Sequence, residues 1–357
     1  MIEITTDPQM AQQEVRAAVS YAPSFIDRFT GFVRRQPLPY WLTYLLLFFI
    51  ESAVLHVLSW VDGWLPTYSV APILFLFPLW LWGSLAIVTH LDSLSLRTIS
   101  EFDPLLQVST ETMRRLRYEF TTMPARSVLL SALAWSVAYV LSWFTGFAPA
   151  VAVYGLGPLA TWISFVAGFV SFSVGSVIYY HSVRQLRLVS RTVQMVSQFD
   201  LFQLDPAYSF SVLTSRTGIS WVVLLTLSLL MLPLELGGMT ELSYLVLQIA
   251  LALGAFLLPL RFVNRRLVLE KRGQLAELDQ RTKATLARLH QQIDENDLQE
   301  VPRLNDVLKG LTTEREILAK IPTWPWRPGL FAGFLSVIVV PILLFLLQFG
   351  LSQWLGR

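Results

Sequence analysis

The chain has 357 residues, of which 54% are apolar and only 15% charged, with a formal net charge of +2. A soluble globular chain is about a quarter charged, so the shortage of charge points to a bilayer. Cysteine is absent, which excludes disulfides, thiolate nucleophiles, Fe–S clusters and Cys-based zinc sites.

Residues 1–37 are polar, with Glu3, Asp7, Glu14 and Asp27 ahead of Arg28, Arg34 and Arg35. A cleaved leader is instead a short basic region followed by an apolar run. The segment is expected to be cytoplasmic, with the first span as an uncleaved anchor. A span needs about 20 apolar residues to cross a hydrocarbon core of about 30 Å. Seven windows meet this or nearly so: 38–60, 69–89, 127–147, 158–180, 219–236, 242–260 and 330–351. Only Gly237, Gly238, Met239, Thr240 and Glu241 separate the fifth and sixth, which read as a tight transmembrane hairpin.

The connectors set the orientation. The N-terminal segment carries 4 Lys/Arg, the six connectors carry 0, 5, 0, 4, 0 and 13, and Arg357 alone follows the last window. Basic residues favour the cytoplasmic face. With 26 of 27 on one side, the N-terminus is expected in the cytoplasm and the C-terminus outside a plasma or inner membrane. Aromatic residues agree, because rings with a polar edge favour the headgroup layer. Tyr40, Trp41, Trp221, Trp324 and Trp326 cluster at the basic ends, and Trp60, Trp64, Trp162 and Trp354 at the others. Of the basic residues 23 are Arg and 4 are Lys. This fits pairing with anionic headgroups on the cytoplasmic side, and equally a compositional bias. No nucleic-acid partner is expected.

Two connectors carry helical patterns of their own. In the second, Phe102, Leu105, Leu106, Met113, Leu116 and Phe120 recur at helical spacing beside Arg114, Arg115 and Arg117. That predicts either an interfacial helix on anionic lipid or one packed on neighbouring protein. In the sixth, Val268, Leu275, Thr282 and Leu289 recur every seven residues, with Leu278, Leu286 and Ile293 on the adjoining stripe. Asp294, Glu295, Asn296 and Asp297 interrupt the pattern, and Leu304, Leu308, Leu311, Arg315 and Leu318 resume it. Two heptad-like helices with a polar turn predict a coiled-coil-like antiparallel hairpin. It could be a self-packed spacer, or a docking or dimerisation element within 263–320.

The expected fold is an all-α integral membrane protein, with seven transmembrane helices and a cytoplasmic antiparallel helical hairpin between spans six and seven. Its parts are a cytoplasmic segment (1–37), a six-span bundle with cytoplasmic helical connectors (38–260), the hairpin (261–329), and a seventh span with a short external tail (330–357).

Within the spans the polar inventory is thin. Glu51 is the one ionisable acid deep inside a span. A charge there costs about 2.5–3.5 kcal/mol on insertion scales, so Glu51 is a candidate intramembrane polar site, with His56 on the same helix. The alternative is a protonated, hydrogen-bonded Glu51 and a packing role for His56. Ser164, Gly168, Ser171 and Gly175 form a small-residue stripe that lets another helix approach closely. Pro78, Gly83 and Pro341 are expected to kink their helices. Arg184, Arg187 and Arg191 continue the fourth span's helix beyond the apolar run and read as snorkelling anchors.

No P-loop, dinucleotide, metalloprotease or nucleophile-elbow motif occurs. The four histidines are scattered, and only His90 and Asp92 are close in sequence. No catalytic, cofactor-binding or metal-binding residue is expected.

The segment Ile321-Pro322-Thr323-Trp324-Pro325-Trp326-Arg327-Pro328-Gly329 is distinctive. With Thr122-Met123-Pro124-Ala125-Arg126 and Phe199-Asp200-Leu201-Phe202, it resembles a group of uncharacterised bacterial multi-pass membrane proteins. The resemblance runs from the second connector onward. It implies a multi-pass architecture, with Trp324 and Trp326 as membrane anchors, and brings no activity.

The function expected is non-enzymatic: sensing, scaffolding or oligomerising through the hairpin. The alternative is a channel or transporter for a small solute using Glu51, and the third reading is a membrane-embedded lipid-modifying enzyme.

Overall fold

A computed structural model describes residues 21–355, apart from 107, 148–156, 197–199, 203, 232–237, 296–298 and 327. Most of the third connector, Gly237 before the sixth window, Asn296 and Asp297 of the hairpin turn, Phe199 and Arg327 lie outside the described residues. Among the described residues the chain is helical, and the one β-pairing is an isolated bridge between Pro23 and Pro124.

The helices in chain order are α1 (Phe25–Arg34), α2 (Tyr40–Val61), α3 (Pro72–Leu105), α4 (Thr110–Thr121), α5 (Ala125–Thr145), α6 (Pro158–Gln194), α7 (Asp205–Met231), α8 (Gly238–Asp294), α9 (Val301–Lys320) and α10 (Pro328–Leu355). Among the described residues six are long and apolar enough to cross a membrane: α2, α3, α5, α6, α7 and α8 from Leu245. The chain is thus a helical protein with six candidate membrane spans, as fits a membrane protein. Within α10, the apolar stretch Gly329–Leu344 is shorter than those six.

Helix α1 starts at a reciprocal cap. Ser24 Oγ accepts from the Asp27 N–H at 3.2 Å, and Asp27 Oδ2 accepts from the Ser24 N–H at 2.8 Å, which satisfies two orphan donors at once. Asp27 Oδ2 also accepts from the Met123 N–H at 2.9 Å, while the Ser24 N–H reaches the Met123 carbonyl at 3.1 Å. The entry to α1 is therefore clipped to the turn before α5. Burial pushes the Asp27 carboxyl up from its ordinary value, against the pull of its Ser24 and Met123 donors.

Helix α7 is the most enclosed of the spans. Its first half carries Ser209, Ser211, Thr214, Ser215 and Thr217, all buried. Ser211, Thr214 and Thr217 return their hydroxyls to carbonyls three or four residues back, so these three are satisfied within the helix, whereas the Ser215 hydroxyl has no partner among the described residues. The apolar face of the second connector packs on protein rather than lying open to lipid. Phe102, Leu106, Met113, Leu116 and Phe120 join Phe210, Leu213, Phe256 and Leu260 in one core cluster. A second cluster, around Tyr44, Leu85, Val88, Ile178 and Leu224, joins α1 and α2 to α3, α6 and α7.

Three stretches widen into π-helix: Leu79–Gly83, Trp143–Phe147 and Ser171–Gly175. Each inserts a residue into the helical repeat and turns the face that follows. The first and third pack together, and a Cβ on Gly175 would collide with the Trp80 carbonyl.

Helix α8 has 57 residues, a length of about 86 Å. Helix α9 packs along its distal part. Leu275, Leu278, Thr282 and Leu289 turn away from solvent, whereas Leu286 is 38% and Ile293 49% exposed. Polar bonds pin the base of the pair. Lys271 Nζ donates to the carbonyls of Ala319 and Ile321, both at 2.8 Å, Asn264 Nδ2 donates to the Thr323 carbonyl at 3.0 Å, and Arg315 Nε meets Asp279 Oδ1 at 3.1 Å. A cation on the last carbonyls of a helix complements its dipole.

Candidate functional site

The most concentrated buried chemistry lies where α1, α3 and α6 meet. On α3, Leu85, Val88, Asp92, Ser95, Ile99 and Phe102 are all buried. Their alternating spacing of three and four puts them on one face, so Asp92 sits in the middle of an apolar stripe and is 1% exposed. On α6, Ile178, His181, Gln185, Leu188 and Thr192 form the matching stripe, and His181 has no exposed surface.

Three side chains converge there. Arg34, in the last turn of α1, places NH2 2.7 Å from Asp92 Oδ2 and 3.2 Å from the Thr89 carbonyl. His181 Nε2 lies 3.2 Å from Asp92 Oδ1, but the angle there is not that of a hydrogen bond, and both imidazole nitrogens lack a bond of good geometry. The Thr89 hydroxyl is 2.9 Å from the Tyr44 hydroxyl and bonds back to the Leu85 carbonyl.

The ring of partners widens on α6. Ser182 Oγ accepts from the Trp221 indole N–H at 3.2 Å, Gln185 Nε2 donates to the Phe120 carbonyl at 3.1 Å, and Arg184 NH2 donates to the Tyr21 hydroxyl at 2.6 Å. Burial holds the Tyr21 hydroxyl well above the usual phenol range, against the opposing pull of Arg184.

Arg34 and Asp92 balance each other. A buried carboxylate is tolerated only when paired. The arrangement can hold a charge pair and orient an imidazole against it. Among the described residues it holds no group of three metal-ligating side chains.

The sequence-predicted residues fall elsewhere. Glu51 is half-buried on α2, and its Oε2 accepts from the Trp82 indole N–H at 2.6 Å. His56 is buried on the same helix. Its Nδ1 is 2.7 Å from the Ser52 carbonyl, and its Nε2 accepts from the Ala71 N–H at 3.3 Å. The two residues are not brought together. The small-residue stripe meets two neighbours. The Tyr139 hydroxyl donates to the Ser164 carbonyl at 3.3 Å, a Cβ on Gly168 would strike that same hydroxyl, and Gly175 abuts Trp80. Ser171 is fully buried between them. Trp324 and Trp326 stack at 4.4 Å between ring centres, and Trp326 continues the stack onto Phe331 and Phe256 at 5.2 and 5.8 Å.

His90, close to Asp92 in sequence, turns instead to the Tyr40 hydroxyl at 3.2 Å. The approach of His181 to Asp92 brings together residues on two different helices, so nearness in sequence gave no sign of it. The available signal was each residue's place within an apolar stripe. Compared with protein families, curated proteins and solved structures, the chain matches none of them.

Proposed function

We propose that the chain is a non-enzymatic integral membrane protein that presents a helical hairpin to a protein partner in the cytoplasm. The observation that carries this is the continuity of α8. One helix of 57 residues, with Pro259 inside it, runs from a candidate span into the hairpin arm, so the arm continues directly from the bundle. The segment after residue 260 extends for about 50 Å. In this reading α10 is a seventh span, the N-terminus and hairpin share the basic face, and the C-terminus lies outside.

The favoured partner is a second copy of the chain. Leu286 and Ile293 leave an apolar stripe uncovered on the hairpin. Residues 279–320 carry seven Lys/Arg against eight Asp/Glu, so two hairpins meet without net repulsion. The test uses Ile293→Cys in this cysteine-free chain. A bifunctional maleimide should link two copies in membranes, and Leu286→Glu should abolish the link. Monomers alone at every crosslinker concentration would overturn the homo-oligomer.

A second reading keeps Glu51 as a pathway residue for a small solute. In its favour, the carboxyl meets Trp82 inside the π-helical stretch Leu79–Gly83, and such stretches recur at functional sites. Liposome flux should then fall in Glu51→Gln. Equal flux in both proteins removes Glu51 from the path.

A further inference from the structure

A groove of about 480 Å³ runs along the outside of the bundle between α6, α7 and α8, within the range of about 300–1,000 Å³ usual for ligand sites. Its walls are apolar for most of their length: Val183, Leu186, Ala250, Leu251, Leu258 and Phe262 among them. Along α8 it reaches from Ala250 to Phe262, about 18 Å. That is close to half of a hydrocarbon core of about 30 Å, the depth of one leaflet.

The polar groups gather at one end. Arg187 lines the groove with Ser190 beside it. Ser190 is already bonded to the Leu186 carbonyl and Ser182 to Trp221. Arg187 is exposed and makes no ion pair among the described residues. Among the described residues no Asp or Glu lines the groove. An unpaired guanidinium at the mouth of a leaflet-deep apolar channel complements an amphiphile with an anionic head and a hydrocarbon tail. A zwitterionic head would bring an ammonium that finds no carboxylate.

We propose that this groove is a binding site for an anionic glycerophospholipid, with one acyl chain along α8 and the phosphate on Arg187. The site rests on the proposed membrane orientation only in the choice of leaflet. Guanidinium binds phosphate by paired N–H donors, and the tail is held by apolar contact.

Gly254 lines the groove, and a Cβ placed on it meets only Leu258 Cδ1, at 3.8 Å. A larger side chain can therefore fill the channel without striking the backbone. The test is native mass spectrometry of the detergent-solubilised full chain, titrated with phosphatidylglycerol or phosphatidylcholine of identical acyl chains. Phosphatidylglycerol should bind at least tenfold more tightly. Arg187→Gln should cost about tenfold for phosphatidylglycerol, the loss of one charge-assisted contact, and no more than that for phosphatidylcholine, which carries the same phosphate but binds weakly from the start. Gly254→Phe should remove the retained lipid with unaltered thermal unfolding. Arg191→Gln, an exposed arginine outside the groove, should bind like wild type.

Equal affinity for the two lipids would overturn the proposal. So would an Arg187→Gln protein that binds phosphatidylglycerol as tightly as wild type, or undiminished lipid in a folded Gly254→Phe protein. A micelle has no sides, so these failures would condemn the groove and leave the orientation and the hairpin reading untouched.

Discussion

Arg34 and Asp92, 58 residues apart, form a 2.7 Å ion pair in which the carboxylate is 1% exposed and the guanidinium side chain 31%. The pair closes α1 onto α3 and stands beside His181. Removing one partner of a buried pair costs about 3–5 kcal/mol, because the other charge is left uncompensated. The opening of Arg34 to solvent reduces that, so Asp92→Ala should lower stability by about 2–3 kcal/mol. Arg34→Met with Asp92→Leu should cost less than the two single changes summed. Thermal unfolding of the four proteins in one detergent measures the coupling. Strict additivity would mean that the two charges do not interact.

The clip at Asp27 gives a pH dependence with a definite sign. Its carboxyl is raised by burial above the unfolded value. Between those two values the folded state holds a proton that the unfolded state has lost, so stability falls as pH rises through the window and is flat above it. Proteolysis of the N-terminal segment should therefore slow as pH drops from neutral into that window. Asp27→Asn should abolish this dependence. Asp27→Ala should speed cleavage at every pH, because the Met123 N–H loses its acceptor and the Ser24 N–H one of its two, a loss of about 1–2 kcal/mol.

Two glycines on different helices should respond oppositely to the same change. Gly175→Ala drives a methyl onto the Trp80 carbonyl, a backbone atom that cannot swing aside. Overpacking of this kind costs about 1–3 kcal/mol. Gly254→Ala makes only an ordinary van der Waals contact with Leu258 Cδ1 at 3.8 Å and gains helix propensity, about 1 kcal/mol. Melting temperatures should fall for the first and hold or rise for the second.

Lys271 ties α8 to the end of α9 through two carbonyls. Lys271→Ala should leave the bundle intact and fray the base of the hairpin. Hydrogen exchange should quicken at Ala319, Lys320 and Ile321, with no change in α7. Uniform exchange across both helices would show that the seam alone holds them.

These features were unequally legible in the sequence. Six of the seven windows coincide with long apolar helices, but four of those windows are shorter than their helices. Window 69–89 stops where α3 continues through Asp92 to Leu105, and window 219–236 omits the hydroxyl-rich half of α7. Hydropathy counts Ser209, Ser211, Thr214, Ser215 and Thr217 as polar. In the fold Ser211, Thr214 and Thr217 are silenced by bonds to their own helix. The continuation of the fourth window's helix beyond Arg184, Arg187 and Arg191 was readable, and α6 runs to Gln194. Of the heptad-like stripe expected on α8, Leu289 is buried and Leu275 and Thr282 half-buried, and on the adjoining stripe Leu278 is buried whereas Leu286 and Ile293 are exposed.

The π-helical stretches were not legible, because one inserted residue in a uniformly apolar run leaves no mark on the pattern. Nor was the approach of His181 to Asp92, which depends on how α3 and α6 are rotated against each other. Their separate stripes could have shown that each residue faces inward. Only the packing shows that they face one another.

Topology gives the most direct test of the central claim, that the hairpin and the N-terminus share one face of the membrane. The chain lacks cysteine, so Arg288→Cys on the exposed side of α8 supplies a single reporter. An impermeant maleimide applied to intact cells should leave it unlabelled until the membrane is opened, together with a tag at the N-terminus. Labelling of Cys at that position in sealed cells would contradict the account outright.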